Sequence, residues 1–139
     1  MTKEQLQAQA WLEGIKKIDS EITENERVKQ RIFEDLTRCT ARYTDDKVQT
    51  SKANAMENAM IAYAAAEKEM DDNTDRLISL KSQVLRVVNG IDNTVYRDLL
   101  KKHYINLKPW WVVAREMHYS ETAIYDLHKQ ALDEVFKRL

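Results

Sequence analysis

The chain has 139 residues, enough for one ordinary domain or for a small module carried on an extended arm. Two glycines (Gly14, Gly90) and one proline (Pro109) leave few turns, and the wealth of Ala, Leu, Lys, Glu, Gln and Arg favours long helices and excludes a substantial sheet. Lys and Arg number 22 against 23 Asp and Glu, a balance that signals neither a polyanion partner nor a membrane surface for the chain as a whole.

The N-terminal stretch MTKEQLQAQAWLEGI has no continuous apolar run of signal-peptide type, and nothing later approaches the roughly 20 apolar residues that span a bilayer. Cys39 is the only cysteine, so no intrachain disulfide can form. A cytoplasmic protein without membrane contact is expected. From Trp11, alternate steps of four and three residues pass through Ile15, Ile18, Ile22, Asn25, Lys29, Ile32, Leu36, Cys39 and Tyr43. Only Asn25 and Lys29 interrupt that apolar seam, and a 3.5-residue period sustained over four heptads marks a coiled coil. A second seam runs through Met56, Ala59, Tyr63, Ala66, Met70, Asn73, Leu77, Leu80, Val84 and Val87, interrupted only by Asn73.

Between the seams, residues 43–54 (YTDDKVQTSKAN) are rich in side chains that compete with the helical backbone and cap new helices. A chain that folds back antiparallel about residue 49 places Asn25 opposite Asn73 and Lys29 opposite Glu69. The polar interruptions then meet each other, as expected where a buried amide pair fixes the register. A continuous rod over residues 3–88 is the alternative to this hairpin. Ala53, Ala55, Ala59, Ala62, Ala64, Ala65 and Ala66 keep part of the second helix narrow, so a homo-oligomer formed through the arm is expected.

Asn89 and Gly90 end the second helix, Gly90 supplying a left-handed closure, and Asp92, Asn93 or Thr94 caps a third helix over about 94–105. Pro109 opens a fourth helix over about 109–117, with Trp110, Val113, Ala114 and Met117 on one face. One of Trp110 and Trp111 is expected to pack inside and the other to cover the surface. After a turn at His118 and Tyr119, Ser120 caps a fifth helix whose apolar stripe is Ile124, Leu127, Ala131, Leu132, Val135 and Phe136. The predicted fold is all-α: a long antiparallel coiled-coil hairpin (1–90) followed by a three-helix helix-turn-helix module (91–139).

Two stretches carry a resemblance. Leu99-Leu100-Lys101-Lys102-His103-Tyr104-Ile105 is similar to a pair of leucines followed by Arg-Tyr-Ile, and Trp110-Trp111-Val112-Val113-Ala114, Tyr119-Ser120 and Ile124-Tyr125-Asp126-Leu127-His128-Lys129-Gln130-Ala131-Leu132 follow a Trp-x-x-Ile-Ala, Gly-Tyr-Ser, Val-Tyr-x-Leu-His-x-x-Ala-Leu pattern. The chain thereby resembles phage transcriptional regulators of the ArpU and RinA type, whose C-terminal segment is similar to region 4 of sigma-70 factors. The resemblance implies a DNA-binding module acting in phage gene expression.

On that plan Thr122, Ala123, Tyr125, Asp126 and Lys129 are the base-reading candidates on the outer face of the fifth helix. The family's turn glycine is His118 here, and the arginine before Tyr104 is His103. Because Glu121 and Asp126 offset Lys129, phosphate contacts fall to Lys101, Lys102, Lys108, Arg115 and Ser120. Residues 97–139 hold 8 basic and 6 acidic side chains with all three histidines.

The expected partners are double-stranded DNA, RNA polymerase and further copies of the chain, with no small-molecule substrate. A protein-interaction adaptor and a DNA-packaging recognition subunit similar to small terminases are the alternatives. No phosphate loop, nucleophile elbow or zinc-ligand spacing occurs, so neither catalysis, metal nor cofactor is expected. His103, His118 and His128 lie on separate segments, and Cys39 sits as a small apolar side chain at the seam.

Overall fold

The computed structural model describes the backbone of residues 1–43 and 49–139 and the side chains of residues 1–38 and 53–139. Among the described residues the regular structure is entirely helical: α1 (Lys3–Tyr43), α2 (Gln49–Asn89), α3 (Thr94–Leu100), α4 (Trp110–Met117) and α5 (Glu121–Lys137). The protein is all-α. Residues 44–48, where the chain is expected to reverse, and the Cys39 side chain lie outside the described residues. None of the described helices is long and apolar enough to cross a membrane.

The packing forms two compact units, Ile18–Arg76 and Met1–Lys17 with Leu77–Leu139. The second of these gathers the expected module together with both ends of the expected arm, so the packing does not divide at residue 90.

In the unit Ile18–Arg76 the two long helices run antiparallel, because successive contacts pair rising positions of α1 with falling positions of α2. Glu21 lies 3.6 Å from Arg76, Asn25 bonds Asn73, and Lys29 lies 3.8 Å from Glu67. Asn73 Nδ2 donates to Asn25 Oδ1 at 2.8 Å, both residues being buried, and Asn73 Oδ1 accepts from Arg76 Nη1 at 3.1 Å. The amide pair is therefore satisfied in the seam, which is the condition for burying it at all.

The expected partner of Lys29 is corrected. Its ammonium reaches Glu67, not Glu69, and sits 5.4 Å from the centre of the Tyr63 ring. A lysine at a seam position must lead its charge out to water along one flank of the facing helix. Glu67 and Glu69 stand on opposite flanks of the α2 seam, and Lys29 leaves on the side of Glu67.

The other unit has the larger core. Ala8, Leu12 and Ile15 of α1, Val84 and Val88 of α2, and Ile91 close against Leu99, Leu100, Tyr104, Val113, Ala114, Ile124, Ala131, Leu132 and Val135. Gly14 stands inside α1 where Leu80 approaches, since an added Cβ would lie 3.0 Å from Leu80 Cδ2. The start of α1 is a capping box: Gln5 N–H donates to Thr2 Oγ1 and Thr2 N–H donates to Gln5 Oε1. Gln5 Nε2 also donates to the Lys129 carbonyl at 3.3 Å, fastening α1 to α5.

Asn93 caps α3 by accepting from Val95 and Tyr96 N–H. The expected single helix over 94–105 widens after Leu100 into a π-helical turn, Lys101–Ile105. Gly90 differs from expectation, because no glycine has positive φ. The end of α2 tightens through Gly90 N–H to Val87 O and Ile91 N–H to Val88 O, a Cβ on Gly90 would stand 3.3 Å from Val87 O, and Arg138 Nε donates to the Gly90 carbonyl at 3.2 Å.

Replacing Asn25 by Leu should strand the buried Asn73 amide and lower stability by about 1–3 kcal/mol. The double variant Asn25→Leu/Asn73→Leu should recover that loss while relaxing the helix register. Urea denaturation of the single and double variants checks this, and equal stability of the two would show that the pair is not coupled.

Candidate nucleic-acid interface

The helix-turn-helix segment is built by three local devices. Pro109 lies at φ −60° and ψ 154°, and its carbonyl accepts from Val112 and Val113 N–H, so α4 starts at Trp110. At the other end His118 is left-handed, at φ 60° and ψ 39°. Tyr119 N–H donates to Ala114 O at 3.0 Å and His118 N–H to Arg115 O at 3.3 Å, the paired bonds of a Schellman closure. Ser120 Oγ then accepts from Ala123 N–H at 3.1 Å and starts α5.

Helix α5 buries Ile124, His128, Ala131, Leu132 and Val135. That stripe turns Thr122, Tyr125, Asp126 and Lys129 to the exposed side, with Ala123 half-buried at its edge. Only the main-chain carbonyl of Lys129 is engaged, by Gln5; the side chain is exposed. Four of the five base-reading candidates therefore share one exposed helix face, and Ala123 borders it.

The phosphate candidates separate into two groups. Lys102 Nζ lies 2.9 Å from Glu116 Oε2, and Lys108 Nζ lies 2.8 Å from Glu116 Oε1, so one carboxylate holds both ammonium groups. Their backbones meet as well, Lys108 N–H donating to Lys102 O at 3.1 Å. Hydrogen bonds from the two lysines hold the Glu116 carboxyl below the usual carboxylate range. Lys101 is half-buried, Arg115 is exposed, and Ser120 is exposed with its hydroxyl serving the cap.

Behind this face lies an aromatic cluster that the spacing of the histidines conceals. The His103 ring stacks on Trp110 with centroids 3.7 Å apart and an interplanar angle of 17°, while Trp110 also lies 4.4 Å from His128 and 6.1 Å from Tyr125. His103 Nδ1 donates to the Lys108 carbonyl at 2.8 Å. Burial lowers the His103 pKa, and burial followed by repulsion from His103 lowers that of His128 to about 4. Burial raises the pKa of Tyr104, so its hydroxyl stays protonated, and it shares a hydrogen bond of 2.6 Å with His128 Nε2. The signal available in the sequence was that His103, Tyr104, Trp110 and His128 all fall within the two motif stretches.

Trp110 is the packed tryptophan, and Trp111 stands 58% exposed on α4. Leu107, at φ 56°, bends the chain between the π-turn and Pro109 and packs against the core.

These features define an all-α protein with a capped helix-turn-helix segment and an open α5 face. Residues 37–135, more than half of the chain, match a protein family described as Protein of unknown function (DUF1492), and the chain belongs to that family. No curated protein and no solved structure matches it.

Neutral histidine is favoured in the folded state, whereas the unfolded chain protonates near pH 6.5. Stability should thus be full above pH 6.5 and fall as pH drops towards 4, by roughly 3 kcal/mol from His128. Denaturation at stepped pH checks this, and the double variant Tyr104→Phe/His128→Leu should flatten the dependence. At the turn, His118→Gly should stabilise the protein by about 1 kcal/mol and raise Tm by a few degrees, because glycine takes the left-handed conformation without strain. Calorimetry showing no gain would remove strain at His118 from the account.

Proposed function

We propose that this chain is a DNA-binding transcriptional regulator of phage type, reading double-stranded DNA with α5 and assembling with copies of itself, or contacting RNA polymerase, through its long helices. The observation that carries this reading is the open face of Thr122, Tyr125, Asp126 and Lys129, presented by a helix whose opposite side is locked into the core. The resemblance of the two motif stretches to the ArpU and RinA type and to sigma-70 region 4 supports the same assignment. Thr122 and Lys129 offer hydrogen bonds to base edges, and Arg115 and Lys101 offer charge to the phosphates.

One set of observations favours a second reading, an adaptor that meets protein instead of DNA. Lys102 and Lys108 are held by Glu116, and the exposed aromatics Trp111 and Tyr125 (58% and 45% exposed) are residue types that anchor protein interfaces.

Fluorescence anisotropy on a random-sequence duplex separates the two. DNA binding should weaken steeply between about 50 and 200 mM salt, and each of Lys101→Glu, Arg115→Glu and Lys129→Glu should weaken binding and reduce the salt slope by about one, with Tm unchanged. Glu116→Gln, which frees Lys102 and Lys108, should tighten binding and steepen the slope. Absence of salt-dependent binding at low salt would sink the DNA reading and leave the adaptor.

A further inference from the structure

Within the unit Ile18–Arg76, α2 turns Tyr63, Ala66 and Asn73 towards α1. At 100° per residue the opposite side of the helix carries Glu57, Met60, Ile61, Ala64, Ala65 and Lys68, and all six are exposed. Met60 is 56% and Ile61 61% exposed. A single exposed apolar residue requires no explanation, but two large ones side by side on the back of a helix that is already packed form a patch.

The order of residues on that patch is symmetric. Glu57 and Lys68, Met60 and Ala65, and Ile61 and Ala64 share one midpoint, between Ala62 and Tyr63. In each pair one member complements the other, acid with base and large with small. Among the described residues neither Glu57 nor Lys68 has an ion-pair partner.

Resting on the reading that the chain self-assembles through its long helices, we propose that this face of α2 is the contact with a second copy of the chain, packed antiparallel about a two-fold axis at that midpoint. Each Glu57 then meets the partner's Lys68, and each Ile61 packs beside the partner's Ala64, with Met60 and Ala65 at the two edges of the contact. A two-fold contact uses the same patch on both copies and so demands self-complementarity, which a patch built for a foreign helix does not. The alanines allow the close approach, and the charge pairs at both ends set the direction.

Analytical ultracentrifugation of the full-length protein tests this. The wild type should sediment as a dimer, or as a multiple of one. Ile61→Glu should raise the dissociation constant roughly tenfold or more with helicity unchanged, since it places a charge in the contact. Lys68→Glu should weaken the dimer, and Glu57→Lys/Lys68→Glu should restore it, an outcome that altered folding would not produce. A monomeric wild type would overturn both self-assembly and this face. An oligomer indifferent to Ile61→Glu and Lys68→Glu, or one not restored by the charge exchange, would overturn this face alone.

Discussion

Three short helices cannot close a core by themselves, and the structure is organised around that shortage. Helices α3, α4 and α5 offer one apolar stripe each, and a segment of their length buries too little surface to fold with much margin. Ala8, Leu12 and Ile15 from the start of α1 and Val84 and Val88 from the end of α2 supply the missing side. Polar fastenings follow the same lines: Gln5 bonds the α5 backbone, Arg138 bonds the Gly90 carbonyl, and Tyr96 bonds Gln130 at 2.6 Å. The ends of the long helices are thus part of the folding unit that carries the helix-turn-helix. With its inner stripe committed to this core, α5 has a fixed outer face.

The same packing determines the electrostatics next to that face. His103 and His128 are neutral because they share a buried aromatic cluster with Tyr104 and Trp110, so two of the three histidines add no positive charge at neutral pH. Lys102 and Lys108 are offset only in part, by the single Glu116 carboxylate at the surface, with side chains about one-third exposed. Surface pairs of this kind are weak, because water screens both charges. A DNA phosphodiester carries the same single charge on two free oxygens as a carboxylate and accepts the same charge-assisted hydrogen bonds from an ammonium group. The clamp therefore does not remove the two lysines from a polyanion's reach; it sets a threshold that an anion must exceed.

Much of the fold was legible because its period is long and its interruptions are specific. Two seams of 3.5-residue spacing define α1 and α2, and the coincidence of Asn25 with Asn73 identified both the antiparallel direction and the register. Ser120 was legible as a cap, and Asn93 as one of three neighbouring candidates, because a short side-chain acceptor before an apolar run serves little else. Lys29 was legible as a polar interruption but not in its partner, since the exit direction of a long side chain depends on the flanks of the facing helix. Gly90 was read from conformational freedom, whereas its small size matters in the tightened last turn, where a Cβ would stand 3.3 Å from the Val87 carbonyl. The aromatic cluster left no periodic signal, since its four residues lie on three segments, and only their place within the motif stretches marked them. The Thr2-x-x-Gln5 capping box went unread, and its attachment to α5 is a tertiary contact with no local signal.

The backbone around α4 shows where local preference yields to the fold. Leu107 precedes it and His118 follows it, both left-handed and neither glycine, at a cost of about 1–2 kcal/mol each. Such conformations persist only where the surroundings over-determine them. At Leu107 the side chain packs on the core, and the bend delivers the Lys108 carbonyl to His103. At His118 two Schellman bonds on one side and the Ser120 cap on the other leave the chain no alternative path. Helix α4 is consequently held at both ends by strained residues. Its exposed side chains Trp111, Arg115 and Glu116 occupy fixed positions, and a glycine at 118 would keep those positions while relieving one of the two strains.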